Sequence, residues 1–221
     1  MKILIVSDEE SPALWEFYSP EKLADIDLIL SCGDLDPKYL QFLVTMAHCP
    51  LLYVHGNHDG RYALNPPEGC LCIEDQILVY NGIRILGLGG CLRYRDGAHQ
   101  YTEEEMRRRI HRLRWQLRRS GGVDIVVTHA PPQGVGDGPD PAHTGFGALR
   151  ELLDTYRPRY LFHGHVHMRY GWNLTRERSY NGTKVINASE RYILEIPEGD
   201  CPETKRNRIL WKTRYREPYP G

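Results

Sequence analysis

Five short apolar runs in this chain each stop at polar side chains of the kind that bind metal ions. Residues 2–6 run into Ser7-Asp8-Glu9-Glu10, and Leu28-Ile29-Leu30 into Ser31-Cys32-Gly33-Asp34. Leu51-Leu52-Tyr53-Val54 leads to Gly56-Asn57-His58-Asp59, and Ile125-Val126-Val127 to Thr128-His129. Tyr160-Leu161-Phe162 ends at His163-Gly164-His165-Val166-His167. Short runs without polar alternation are strands covered on both faces. Helical patterns fall between them. Pro37 opens a segment in which Tyr39, Leu40, Phe42, Leu43 and Met46 share one face, and residues 146–156 are amphipathic up to Pro158. The class is therefore α/β, in which ligands bind beyond the carboxyl ends of the strands.

The rest of the chain is punctuated clearly. Residues 11–24 read as irregular, then helical from Pro20-Glu21. Arg61 to Gly69 is a loop; 71–73, 77–80 and 83–88 are short β-like runs, with Asn81-Gly82 as a hairpin turn. Thr102 to Arg119 reads as one helix, with Thr102 and Glu105 forming a capping box and Gly121-Gly122 ending it. Its seven arginines, balanced by Glu103, Glu104 and Glu105, read as a solvated face. A Gly/Pro/Asp-rich loop at 133–142 precedes His143, and residues 168–196 read as short strands around an Asn181-Gly182 hairpin. The polar tail, 197–221, interleaves basic and aromatic residues and is expected to pack on the body. With no repeat or linker in view, residues 1–221 are read as a single domain.

Composition excludes several classes. A formal net charge of −1 gives no electrostatic case for nucleic acid, and no apolar run is long enough to span a membrane. The start of the chain lacks a signal-peptide pattern, so a cytoplasmic protein is expected. The six cysteines lack paired zinc-ribbon spacing and read as reduced, mostly buried thiols.

Carboxylate, amide oxygen and imidazole together suit two divalent or mixed-valence ions rather than a thiolate site. Such a pair bridges a hydroxide, binds phosphate and neutralises an in-line transition state. Asp34, alone at its strand end, is the natural bridging carboxylate. His58, beside Asn57, is placed to protonate a leaving oxygen, with Asp59 to orient it. Arg93, Tyr94 and His143 are candidates for contacting the phosphate.

Asp8-x-Glu10, Gly33-Asp34, Gly56-Asn57-His58-Asp59, His129 and Gly164-His165-x-His167 resemble the calcineurin-like metallophosphoesterase signature, over residues 3–167. The resemblance implies a four-layer α/β-β/α sandwich of two mixed sheets flanked by helices. It implies a dinuclear hydrolase of phosphate mono- or diesters, acting on a small molecule. One ion would be held by Asp8, Asp34 and His167, the other by Asp34, Asn57, His129 and His165, with His58 as the catalytic imidazole. Manganese is the first choice of metal; iron, zinc, magnesium and nickel are alternatives. Glu10 stands where the family usually has histidine. It is expected to ligate directly or through water, favouring a harder ion. A non-catalytic interaction module on the same fold and a nuclease are the alternative functions.

Overall fold

A computed structural model describes residues 1–168 and 175–197. Two mixed sheets form its centre. The first contains β1 (Lys2–Ser7), β2 (Leu28–Ser31), β3 (Leu51–Tyr53) and β4 (Leu71–Cys72), all parallel, with β13 (Glu190–Glu195) antiparallel beside β1. In the second, β6 (Ile83–Leu88), β9 (Ile125–Thr128), β10 (Tyr160–His163) and β12 (Thr183–Asn187) are parallel. Antiparallel β5 (Gln76–Tyr80) and β11 (Glu177–Tyr180) form its two edges. A small parallel pair, β7 (Cys91–Leu92) and β8 (Gln100–Tyr101), lies apart.

Side-chain alternation along the buried strands builds three apolar layers. Ile3, Ile5, Leu28, Leu30, Ile125, Val127 and Phe162 meet between the sheets. Leu4, Val6 and Ile29 point the other way, onto Tyr39, Leu40 and Leu43 of helix α1 (Pro37–Ala47). On the far side, Val126 and Leu161 pack with Met106 of α2 (Glu103–Arg112), Leu117 of α3 (Arg114–Ser120) and Leu149, Leu152 and Leu153 of α4 (Gly147–Tyr156). Helix, sheet, sheet, helix is the four-layer arrangement expected. Each large aliphatic side chain fully buried in it contributes about 1.5–3 kcal/mol.

Local signals formed as expected at several points. Asn81-Gly82 and Asn181-Gly182 take successive left-handed conformations (φ 46° and 81°; 48° and 86°), which join their strands as tight hairpins. Thr102 and Glu105 form the full capping box. Other expectations need correction. The helix read over 102–119 breaks at Leu113, whose buried side chain, with Met106 and Leu117, reaches the outer core of the second sheet. Near Pro20 only a single 3-10 turn forms, Pro20–Lys22. The arginine face is not wholly solvated. Arg109 is 4% exposed, bonded to Glu74, Asp75 and the Gly89 carbonyl, with its guanidinium over the Tyr101 ring. Among the described cysteines Cys32 and Cys91 are buried, but Cys49, Cys70 and Cys72 are partly exposed. The tail expected to pack on the body lies almost entirely outside the described residues.

Phe162 is fully buried between the sheets, whereas Leu64 is 94% exposed. We expect Phe162→Ala to cost about 3–5 kcal/mol in urea unfolding, and Leu64→Ala to stay within about 0.5 kcal/mol. Equal effects would contradict the layer assignment.

Candidate metal centre

The two sheets bring their polar strand ends to the same place. Three of the residues there leave their strands through left-handed backbone: Asp8 (φ 65°), Asp34 (φ 59°) and His165 (φ 66°). Such conformations cost non-glycine residues about 1–3 kcal/mol each and cluster at functional sites. The flanking glycines make the turns sterically possible. A Cβ on Gly56 would collide with the Asp34 carboxylate, and one on Gly164 with Ser7 and the Asp8 carboxylate. At Gly33 (φ 96°) it would strike the Gly56 backbone.

His129 lies at the middle. It is fully buried, and its Nδ1 donates to the Cys32 carbonyl at 2.9 Å. A carbonyl only accepts, so that proton fixes the ring and turns Nε2 inward. Nε2 then faces Asn57 Oδ1 at 3.0 Å and Asp34 Oδ2 at 3.3 Å. Two acceptor oxygens and a ring nitrogen on one point require a proton or a cation between them. Burial works against a charged His129, yet the Asp34 carboxylate beside it raises its pKa to about 9. Burial alone would raise Asp34 too, but the His129 charge and the His58 amide, 2.7 Å from Oδ1, hold it well below the carboxylate range. Asp8, Asp34 and His129 offer ligand atoms within 4.8 Å of one another.

The outer histidines are oriented from behind. His165 Nε2 donates to the Ala142 carbonyl at 2.6 Å, which leaves Nδ1 as its unprotonated nitrogen. Burial, then the nearby His129, pushes its pKa down to about 3, so the ring stays neutral, as a ligand must. Its amide donates to both Asp8 oxygens, at 2.9 and 3.1 Å. Burial raises the Asp8 pKa. His167 Nδ1 lies 2.8 Å from Glu9 Oε1, so Nε2 is its nitrogen on the other side. Backbone carbonyls and carboxylates behind metal-binding imidazoles commonly set tautomer and basicity in this way.

The chain thus gathers Asp8, Asp34, Asn57, His129 and His165, with His167 beside them. The donor set fits two divalent ions: carboxylate, amide oxygen and imidazole, with tautomers already set. Glu10 is placed differently from the expectation. It is exposed, and Oε1 accepts the Asp36 amide at 3.0 Å ahead of α1. Asp59 also differs from its expected task. Its Oδ2 accepts the amides of Asp34 and Gly56, each at 2.8 Å, while Oδ1 is buried without a hydrogen-bond partner among the described residues. Neither oxygen bonds the His58 ring; the carboxylate clamps two ligand loops together. Burial, then the nearby Asp34 charge, raises its pKa to about 6. His58 itself is exposed.

Of the phosphate-contact candidates, Tyr94 approaches most closely, with its hydroxyl 3.5 Å from Asn57 Nδ2. The His143 ring centroid is 5.3 Å from that of His165, and Nδ1 bonds Asp140. Arg93 is bonded to Glu105 at 3.0 Å and to the Gln100 carbonyl. Glu9 and the carbonyls of Cys32 and Ala142 were not singled out from sequence. Only Glu9 carried a usable signal, its place next to Asp8.

The sequence profile of the calcineurin-like phosphoesterases matches residues 1–169. Lariat debranching enzymes of Drosophila pseudoobscura pseudoobscura and Drosophila melanogaster are 28% and 27% identical, over 206 and 201 residues. Those matches cover 68% and 66% of this chain but 38% of each enzyme, so the chain spans well under half the length of these curated relatives. The crystal structure of TT1561 of Thermus thermophilus has a TM-score of 0.61 at 19% identity, covering 86% of this chain and 89% of that one. That likeness shows a shared fold.

Asp59→Ala removes the clamp but none of the candidate metal-binding side chains. We expect metal affinity to fall about 10–100-fold in calorimetric titration with Mn²⁺. Unchanged affinity would mean that the two loops hold themselves.

Proposed function

The chain belongs to the calcineurin-like phosphoesterase family, and on that premise we propose that it is a metal-dependent hydrolase of phosphate esters, with a diester as its preferred substrate. The observation that carries this is the convergence of Asp34 Oδ2, Asn57 Oδ1 and His129 Nε2 on one point. Asp8, Asp34 and His167 would hold one ion, and Asp34, Asn57, His129 and His165 the other. Manganese best suits the oxygen-rich share of these ligands. Two such ions would supply Lewis acidity, both for a more acidic water and for neutralising charge on phosphoryl oxygens. Glu10 would join only by leaving the Asp36 amide, directly or through a water.

The chain's own groups would do the rest. The exposed His58, whose amide is bonded to Asp34, would pass a proton to the leaving oxygen. The Tyr94 hydroxyl, beside Asn57, and His143, beside His165, flank the centre and are suited to hold non-bridging oxygens. The diester preference rests on similarity to two enzymes named for debranching, which breaks a link between two groups. A nuclease would use the same chemistry, but the formal charge of −1 provides no overall attraction for a polyanion.

With Mn²⁺, we expect turnover of bis-p-nitrophenyl phosphate to exceed that of p-nitrophenyl phosphate. His58→Ala should lower kcat by about 10²–10⁴-fold while metal content is retained. Asp34→Asn should lose activity together with the ions bound at this centre. Metal binding without turnover of either ester would sink the hydrolase.

A further inference from the structure

A second cluster of metal-competent side chains lies behind the Gly56-Asn57-His58-Asp59 loop. His55 follows β3, Cys72 ends β4, and Glu74 lies between β4 and β5. One ligand atom from each lies within 4.8 Å of the others. His55 Nδ1 is 3.4 Å from Glu74 Oε2 and 4.0 Å from Cys72 Sγ. Tetrahedral zinc has ligand–ligand edges of about 3.4 Å for nitrogen–oxygen and about 3.6 Å for nitrogen–sulfur. The first pair already fits, and a small rotation of the thiol closes the second.

We propose that His55, Cys72 and Glu74 bind a zinc-like divalent ion, separate from the dinuclear centre, with water completing its coordination. The surroundings favour this. Glu74 is braced through Oε1 by the Gly89 amide, 3.0 Å away, and by Arg109, while among the described residues Oε2 accepts only from His55. A carboxylate oxygen that accepts one amide keeps a lone pair for a cation. The His99 ring stacks on His55, with centroids 4.3 Å apart and planes 9° from parallel, which restricts rotation of the imidazole. All three ligands are partly exposed, so an ion has a way in and a fourth position is open to water. Cys70 is turned elsewhere, with Sγ 3.7 Å from the Glu68 carbonyl. One thiolate, one imidazole and one carboxylate select a borderline-soft ion over Mg²⁺ or Ca²⁺. An ion here would clip the first sheet's edge, β3 to β4, to the segment that enters β5 of the second.

The thiolate makes this site separately observable, because none of the residues assigned to the dinuclear centre supplies sulfur. The full chain, stripped with chelator and titrated with Co²⁺, should develop a thiolate-to-cobalt charge-transfer band with the intensity of a single thiolate ligand. Asp34→Asn should keep the band, and Cys72→Ser should lose it. In parallel, mass spectrometry of the alkylated wild-type protein should show Zn²⁺ protecting Cys72 but not Cys49 or Cys70, a readout that needs no variant to fold. A silent spectrum at saturating cobalt, a band that survives Cys72→Ser, or equal alkylation of Cys72 with and without zinc would each overturn the proposal. None of these results depends on phosphoesterase activity.

Discussion

His129 joins the two sheets at their polar end. It rises from β9 in the second sheet and bonds the Cys32 carbonyl beyond β2 in the first. Its other nitrogen lies between Asp34 and Asn57, both on first-sheet loops. A fully buried imidazole with that many acceptors around it has to carry charge or share a cation. Either state is tolerable in an apolar sandwich only because Asp34 and the Asn57 amide face it. The left-handed turns at Asp8, Asp34 and His165 and the glycines beside them serve that convergence. Relaxing any of them would leave buried polar groups without partners.

The centre is not uniform in how it is held. Asn57, His129 and His165 are themselves 7% exposed or less, and both imidazoles are held by backbone carbonyls. Around Asp8 and His167 the contacts involve Glu9 and lie nearer the surface. The replacement of the family's usual first-motif histidine falls in this second half, and there Glu10 faces the α1 entry instead of the other ligands. One proposed ion would therefore occupy a rigid, largely neutral-ligand seat, and the other a more carboxylate-rich and accessible one. That difference suits unequal affinities, with the rigid seat filled first.

Much of this was legible because it is local. Apolar runs, helical faces, the capping box and both Asn-Gly turns depend on neighbours a few residues away. What was missed depends on distant partners. Arg109 reads as one more solvated arginine until Glu74 and Asp75, about 35 positions earlier, are brought to it by the second sheet. The family motif pairs Asp8 with Glu10, but the backbone turns left-handed at Asp8, and Glu9 meets His167 instead. In sequence, Asp59 reads as a partner for its neighbour His58. Its actual partners are two amides, one of them 25 residues away, that close the loops on each other.

On our proposal, these strand ends form one dinuclear centre. This is tested most directly by a crystal structure of the full chain grown with Mn²⁺ and read by anomalous scattering. Two peaks should flank the Asp34 carboxylate, one against Asn57, His129 and His165, the other against Asp8 and His167. Peaks only elsewhere, or none with these side chains ordered as described, would contradict it.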